Sequence, residues 1–278
     1  MKTFPAWICI VLCLTFQETA VFAYFLNPTC GVSYESNLST RIMRGSTAII
    51  KSAPYMAYLY VSNKLTCGGS IISQRYILTA THCIEPKIKV RLGEHDVSTK
   101  SDCQGASCSP PAEEFDVERA IRNKMYGRTL TNDIAMLKLT RNIVFKEHIQ
   151  PICLLLNPAH SPNVNQYQAF GWGRTERGRV SNVLQTTTLI HYASSYCQNI
   201  LSLPLTQNQI CAGSPNTDTC HGDSGGPLVV KVNYDGITRN LQLGVVSYGE
   251  LLCRNPGVYT FVPNYISWIQ NVMQTYGH

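Results

Sequence analysis

From residue 55 to residue 262 the sequence breaks into short apolar or alternating runs. They fall at 55–61, 70–72, 77–80, 88–92, 115–121, 134–139, 167–173, 184–192, 227–232, 241–248 and 258–262, punctuated by Gly, Pro, Asn and Ser. Many short strands with regular turn signals point to an antiparallel sandwich or barrel, an all-β fold. One helical pattern stands out, from Pro263 or Asn264 to about Thr275. There Ile266, Ile269, Val272 and Met273 recur at helical spacing with Trp268 beside them. That helix reads as a docking element without chemistry. No repeats or low-complexity tracts interrupt the pattern.

The 278 residues allow one or two domains with a large core. The formal net charge is +6, and Lys and Arg are scattered with no run of five or more. This fits a solvated basic surface and argues against a dedicated nucleic-acid-binding face. Lys2, the mostly apolar stretch 6–16 and Val21-Phe22-Ala23 read as a secretory leader, residues 1–23, cut after Ala23, with Ala20 as the alternative. The stretch is too short to span a bilayer, and no later segment has the roughly 20 apolar residues of a membrane helix. The mature chain is therefore expected to be soluble and extracellular, without membrane partners.

Cysteine usage agrees. Of 12 Cys, Cys9 and Cys13 leave with the leader, and an even set remains: Cys30, Cys67, Cys83, Cys103, Cys108, Cys153, Cys197, Cys211, Cys220 and Cys253. In a secreted chain this implies disulfides, whose pairing the sequence alone leaves open. No Cys-x-x-Cys pair favours zinc. Residues 24–41 form a short segment with Cys30-Gly31 and the sequon Asn37-Leu38-Ser39, an expected glycan site at Asn37.

The chemistry concentrates in Thr219-Cys220-His221-Gly222-Asp223-Ser224-Gly225-Gly226-Pro227. A serine hydroxyl is a poor nucleophile until a base takes its proton. The chain offers one in Thr79-Ala80-Thr81-His82-Cys83, and an aspartate in Thr131-Asn132-Asp133-Ile134-Ala135-Met136-Leu137. Taken singly, Ser224 would be a turn serine, His82 a structural histidine beside a cysteine, and Asp133 a strand-edge cap. The order His, Asp, Ser and the three local patterns together resemble the trypsin-like, chymotrypsin-fold serine proteases over residues 42 to about 276. Within the family the chain resembles arthropod clip-type cascade proteases, although 24–41 has no room for a clip module.

The resemblance implies two packed six-stranded antiparallel β-barrels with a C-terminal helix. His82 and Asp133 would lie on the first barrel, Ser224 on the second, and the domain would run over 42–278. It implies Ser224 as nucleophile, His82 as base then acid, and Asp133 as the group orienting the imidazole, with Ser247 bonded to that aspartate. Gly222 and Ser224 would supply the oxyanion-hole N–H groups. Asp218 would sit at the base of the primary specificity pocket between the wall glycines Gly249 and Gly257, which implies cleavage after Arg or Lys. Tyr248 stands where the family usually has Trp, and Glu250-Leu251-Leu252 form an unusual approach to Cys253. The family pairing gives Cys67–Cys83, Cys197–Cys211 and Cys220–Cys253. Cys103–Cys108 would close a small loop, leaving Cys30 with Cys153.

Arg41-Ile42-Met43-Arg44-Gly45 resembles the family activation site, departing from the commoner Ile-Val-Gly-Gly. Cleavage after Arg41 by a trypsin-like protease would free the Ile42 amine to pair with Asp223, and Cys30–Cys153 would retain 24–41 as a light chain. No cofactor is required. A structural Ca2+ near Glu94, Asp102 and Glu113 weighs equally with a solvated acidic loop. The expected function is a secreted serine endopeptidase zymogen acting on protein substrates, subject to protein inhibitors, in an immune or clotting-type cascade. The rival readings are a digestive enzyme and a non-catalytic protease-fold binding protein.

Overall fold

The computed structural model describes residues 24–33, 46–127, 129–174, 179–214, 222–249 and 255–277. Strand β1 (Ser46–Thr47) is followed by β2 (Met56–Val61), β3 (Lys64–Ile71), β4 (Tyr76–Thr79) and β5 (Lys89–Leu92). A small hairpin, β6 (Asp102–Gln104) and β7 (Ser107–Ser109), precedes β8 (Glu113–Arg122) and β9 (Ala135–Leu139). The order β2-β3-β4-β9-β8-β5 closes the first barrel. Its strands show why the sequence folds this way. β9 is buried along its whole length, whereas β8 buries Phe115 and turns charged residues outward.

The second half contains β10 (Gln166–Gly171), β11 (Gln185–Tyr192), helix α1 (Ser194–Leu201), β12 (Gln209–Gly213), β13 (Pro227–Tyr234), β14 (Ile237–Tyr248) and β15 (Gly257–Phe261). The ladder β11-β10-β13-β14-β15-β12 closes on itself through β11–β12, and β1 adds to the outside of β11. Two six-stranded antiparallel barrels are thus present, as expected.

Helix α2 (Ile266–Tyr276) follows a single helical turn at Val262–Tyr265, so it begins two or three residues later than its spacing suggests. It buries Ile266, Ile269, Val272 and Met273 in the core of the first barrel, together with Met136, Leu137 and Tyr76. The chain's last element therefore packs back across to its first barrel. α1 is a second helix that the spacing did not announce. Only its Cys197 is buried, and a disulfide holds it to Cys211, so no apolar stripe marks it in the sequence. Among the described residues the disulfides are Cys30–Cys153, Cys67–Cys83, Cys103–Cys108 and Cys197–Cys211. The expected pair Cys220–Cys253 lies outside them. No described helix is long and apolar enough to cross a membrane.

Candidate active site

The ladder between β4 and β9 builds half of the site. Thr79 pairs with Ala135, so the two strands leave the barrel side by side at one end. His82 follows in a one-turn helix at Thr81–Cys83, and Asp133 lies just before β9. Asn132 takes a left-handed backbone (φ 59°), which asparagine tolerates better than most residues. Its side chain ties down the loop, accepting from the Tyr265 hydroxyl (2.9 Å) and donating to the Met125 carbonyl (3.1 Å).

Asp133 is 2% exposed, and three donors converge on its carboxylate. Oδ2 meets His82 Nδ1 at 2.7 Å and the Ser247 hydroxyl at 2.6 Å, while Oδ1 accepts the His82 backbone N–H at 3.1 Å. Burial alone would push this acid up. The His82 hydrogen bond and charge, the Ser247 hydroxyl and the His82 N–H outweigh it and hold the carboxyl below its ordinary value. The Nδ1 contact orients the ring so that Nε2 faces away from the carboxylate. A β-bulge explains the aim of Ser247. Val246 pairs with Tyr259 and Tyr248 with Val258, leaving Ser247 as the extra residue whose hydroxyl turns toward Asp133.

Ser224 comes from the other barrel, on the turn before β13. Its carbonyl accepts the Gly68 N–H (2.7 Å), and the turn is stitched to β14 by Gly225 N–H to the Val246 carbonyl (2.8 Å) and Val246 N–H to the Gly226 carbonyl (2.9 Å). A Cβ on Gly225 would stand 3.0 Å from the Cys83 sulfur, and Cys83 neighbours His82. The serine turn of the second barrel thus packs against the cysteine next to His82 on the first. Gly222 has φ 102°, and a Cβ there would come 2.8 Å from Gly173 Cα, so only glycine fits this turn. The Asp223 carboxylate accepts the Gly173 N–H at 2.8 Å. A side chain on Gly173 would sit 2.6 Å from that carboxylate, so the glycine makes room for it.

Gly249 and Gly257 lie side by side, the Cβ position of Gly249 being 3.4 Å from Gly257 Cα. Tyr248, next to them, packs with Leu201, Leu205 and the Cys197–Cys211 bridge, and its hydroxyl accepts from Gln209 Nε2 (3.2 Å). Asp218, His221, Arg41, Ile42 and Asn37 lie outside the described residues.

Two threonines tighten the site in ways the motifs did not announce. The Thr81 hydroxyl donates to the Ile134 carbonyl (2.7 Å), tying the histidine turn to the aspartate segment. The Thr260 hydroxyl donates to the Asp133 carbonyl (2.8 Å) from β15. Both partners are distant in sequence, so no local pattern could reveal them.

The carboxylates considered for Ca2+ have other partners. Glu94 pairs with Arg91 (3.2 Å) and accepts the His95 N–H. Asp102 accepts the N–H groups of His95 and Asp96 and the Thr99 hydroxyl, and Glu113 faces Lys146 and Arg141. Among the described residues Glu94, Asp102 and Glu113 do not come together as a set of three side-chain ligands.

A buried carboxylate bound to an imidazole, with a serine on a glycine-bounded turn packed against the cysteine next to that histidine, is the arrangement expected of a serine hydrolase. Comparison with known proteins carries this further. The Trypsin family profile matches residues 42–269. Serine protease grass of Drosophila melanogaster is 36% identical over 262 residues, covering 86% of this chain and 70% of that protein. Phenoloxidase-activating enzyme 1 of Spodoptera litura is 35% identical over 88% of this chain and 69% of its own length. The crystal structure of Drosophila Grass, a clip serine protease of the Toll pathway, superposes with a TM-score of 0.78 at 35% identity, covering 89% of this chain and 75% of the other. This chain belongs to the trypsin family of serine proteases.

Proposed function

We propose that the protein is a secreted zymogen of an endopeptidase that cleaves after Arg or Lys once its own chain is cut after Arg41. The observation that carries this reading is the Asp133 carboxylate, shared between His82 Nδ1 (2.7 Å) and the Ser247 hydroxyl (2.6 Å) beside the Ser224 turn. Ser224 Oγ gives its proton to His82 Nε2 as it attacks the substrate carbonyl. Asp133 stabilises the imidazolium that forms, and the N–H groups of Gly222 and Ser224 receive the oxyanion. Each such donor is worth roughly 2.7–4 kcal/mol of barrier. Collapse expels the amine, which takes the proton from His82. Water then repeats the sequence in reverse on the acyl-enzyme.

Arg or Lys specificity rests on Asp218 in its family position and on the adjoining glycines Gly249 and Gly257, whose lack of side chains leaves room for a long substrate side chain. A buried carboxylate favours a substrate cation as counter-charge. Strand geometry supports the activation step. Thr47 and Gly171 both pair with Gln185, which sets them about 10 Å apart across two strand spacings. Asp223 touches Gly171. Ile42 lies four residues before Ser46, and four extended residues span about 13–14 Å, so its new amine can reach Asp223. The relatives named above, together with Melanization protease 1 of Drosophila melanogaster (34% identical), favour a regulatory cascade role over digestion.

The test is labelling of the Arg41-cut protein by a fluorophosphonate, followed by a peptide-library cleavage profile. Labelling is expected for the native chain and absent in Ser224→Ala, with cuts confined to Arg and Lys. A native chain that stays unlabelled, or a profile centred on apolar residues, overturns the reading.

A further inference from the structure

Asp102 has no place in the mechanism above, and it is buried at 8% exposure at the start of β6. One of its oxygens accepts the N–H groups of His95 (3.2 Å) and Asp96 (3.1 Å), and the other accepts the Thr99 hydroxyl. The carboxylate thereby closes the loop 95–102 and fixes the peptide units on either side of His95. The His95 carbonyl then receives two donors from the second barrel, the Trp172 indole N–H (3.1 Å) and the Leu184 N–H (2.8 Å). Val97 and Asp96 extend the seam, through Val97 N–H to the Asn182 carbonyl (3.0 Å) and an isolated bridge from Asp96 to Val183. The segment leaving β10 and the segment entering β11 are thus both held by one loop of the first barrel.

Trp172 is wholly buried, its ring edge-on to Tyr58 at 5.3 Å. The next residue, Gly173, donates its N–H to the Asp223 carboxylate (2.8 Å) and lies against Gly222. Asp223 in turn closes the Ser224 turn by accepting the Gly226 N–H (2.9 Å) on its carbonyl. A single covalent step, from Trp172 to Gly173, joins the His95 loop to the turn carrying the oxyanion donors.

We propose that Asp102 is a positioning residue for the oxyanion-binding turn, acting through the His95 carbonyl and the Trp172 indole on Gly173 and Asp223. The proposal rests on Gly222 and Ser224 being the oxyanion donors. It makes the Cys103–Cys108 hairpin, whose first strand begins at Asp102, a support for catalysis rather than a surface ornament.

The test compares native, Asp102→Asn, Trp172→Phe and doubly substituted full-length chains after cleavage at Arg41. Asn keeps the shape but removes the charge and turns one acceptor oxygen into a donating NH2, and Phe keeps an aromatic side chain but removes the N–H. Each single change is expected to lower kcat about tenfold with little change in KM, short of the roughly 100- to 1000-fold cost of losing an oxyanion donor outright. The double variant should be no slower than the slower single one, because both interrupt the same link. Multiplied effects, or a lowered melting temperature with unchanged kcat, overturn the proposal. Hydrogen exchange at the Gly173 N–H decides independently of turnover. Faster exchange in Asp102→Asn supports the link, and native-like exchange refutes it. If the native chain itself fails to react with a fluorophosphonate, the enzyme reading fails, and the exchange measurement still rules on this one.

Discussion

The carboxylate of Asp133 works under opposed demands. It is almost sealed from water, yet its partners hold it charged below the ordinary carboxylate range. A depressed folded-state pKa adds stability above the unfolded value, about 3.9, and loses it as pH falls through the folded value. Asp133→Asn should therefore flatten the acid side of the stability curve below about pH 4 relative to the native chain, as read by chemical denaturation at stepped pH. Turnover should fall about 10⁴-fold, the loss described for the equivalent exchange in this family, because the imidazole loses its correct tautomer. Gly222→Ala should be as harmful to activity as removal of an oxyanion donor, roughly 100-fold or more in kcat, since its φ and its contact with Gly173 both exclude a Cβ. At this scale the sequence was most informative where residues cluster locally, as around Ser224. The supporting groups Thr81, Thr260, Trp172 and Gly173 were silent because their partners are many tens of residues away.

The strands were legible as elements wherever burial wrote an apolar or alternating run, as in β9 and β2. β6 and β7 escaped notice because they are three residues each and mostly polar, held by a disulfide and side-chain bonds. β12 carries Gln209, whose buried amide engages Thr206 and Tyr248 and so interrupts the apolar pattern. The C-terminal helix shows how one element can depend on another in ways its own sequence hides. Lys138, buried in β9, donates to the Tyr276 carbonyl (2.6 Å), and the Tyr76 hydroxyl donates to the Gly277 carbonyl (2.7 Å). A cation at the helix C-terminus also matches the helix dipole. Lys138→Met should lower stability by about 1–2 kcal/mol while leaving kcat unchanged, a shift that urea unfolding at neutral pH would register.

At the scale of the molecule, the segment 24–33 is built into the second barrel rather than merely linked to it. The Asn240 N–H donates to the Gly31 carbonyl, Leu26 and Gly31 donate to the carbonyls of Leu154 and Pro151, and Arg239 caps the Cys30 carbonyl (2.7 Å). Tyr24 stacks on Tyr234 at 4.6 Å, and Phe25 joins the barrel core. Cys30–Cys153 spans 123 residues. Removing both cysteines from the uncut chain should cost about 4–5 kcal/mol if the entropy of the closed loop governs the bond, and calorimetry of the Cys30→Ala/Cys153→Ala variant would read it. A loss under about 1 kcal/mol would mean that the unfolded chain without the bond retains structure of its own.

The bulge in β14 carries a last consequence. Substitutions at position 247 alter one hydroxyl, but the ladder there counts three residues against two. Excising Ser247 would heal the mismatch, giving Val246 and Tyr248 consecutive partners in an unbroken ribbon. The repaired sheet would be more regular than the natural one, and its aspartate would have lost the alcohol that faces it. A shorter strand would make a tidier ladder and leave Asp133 one hydrogen bond poorer.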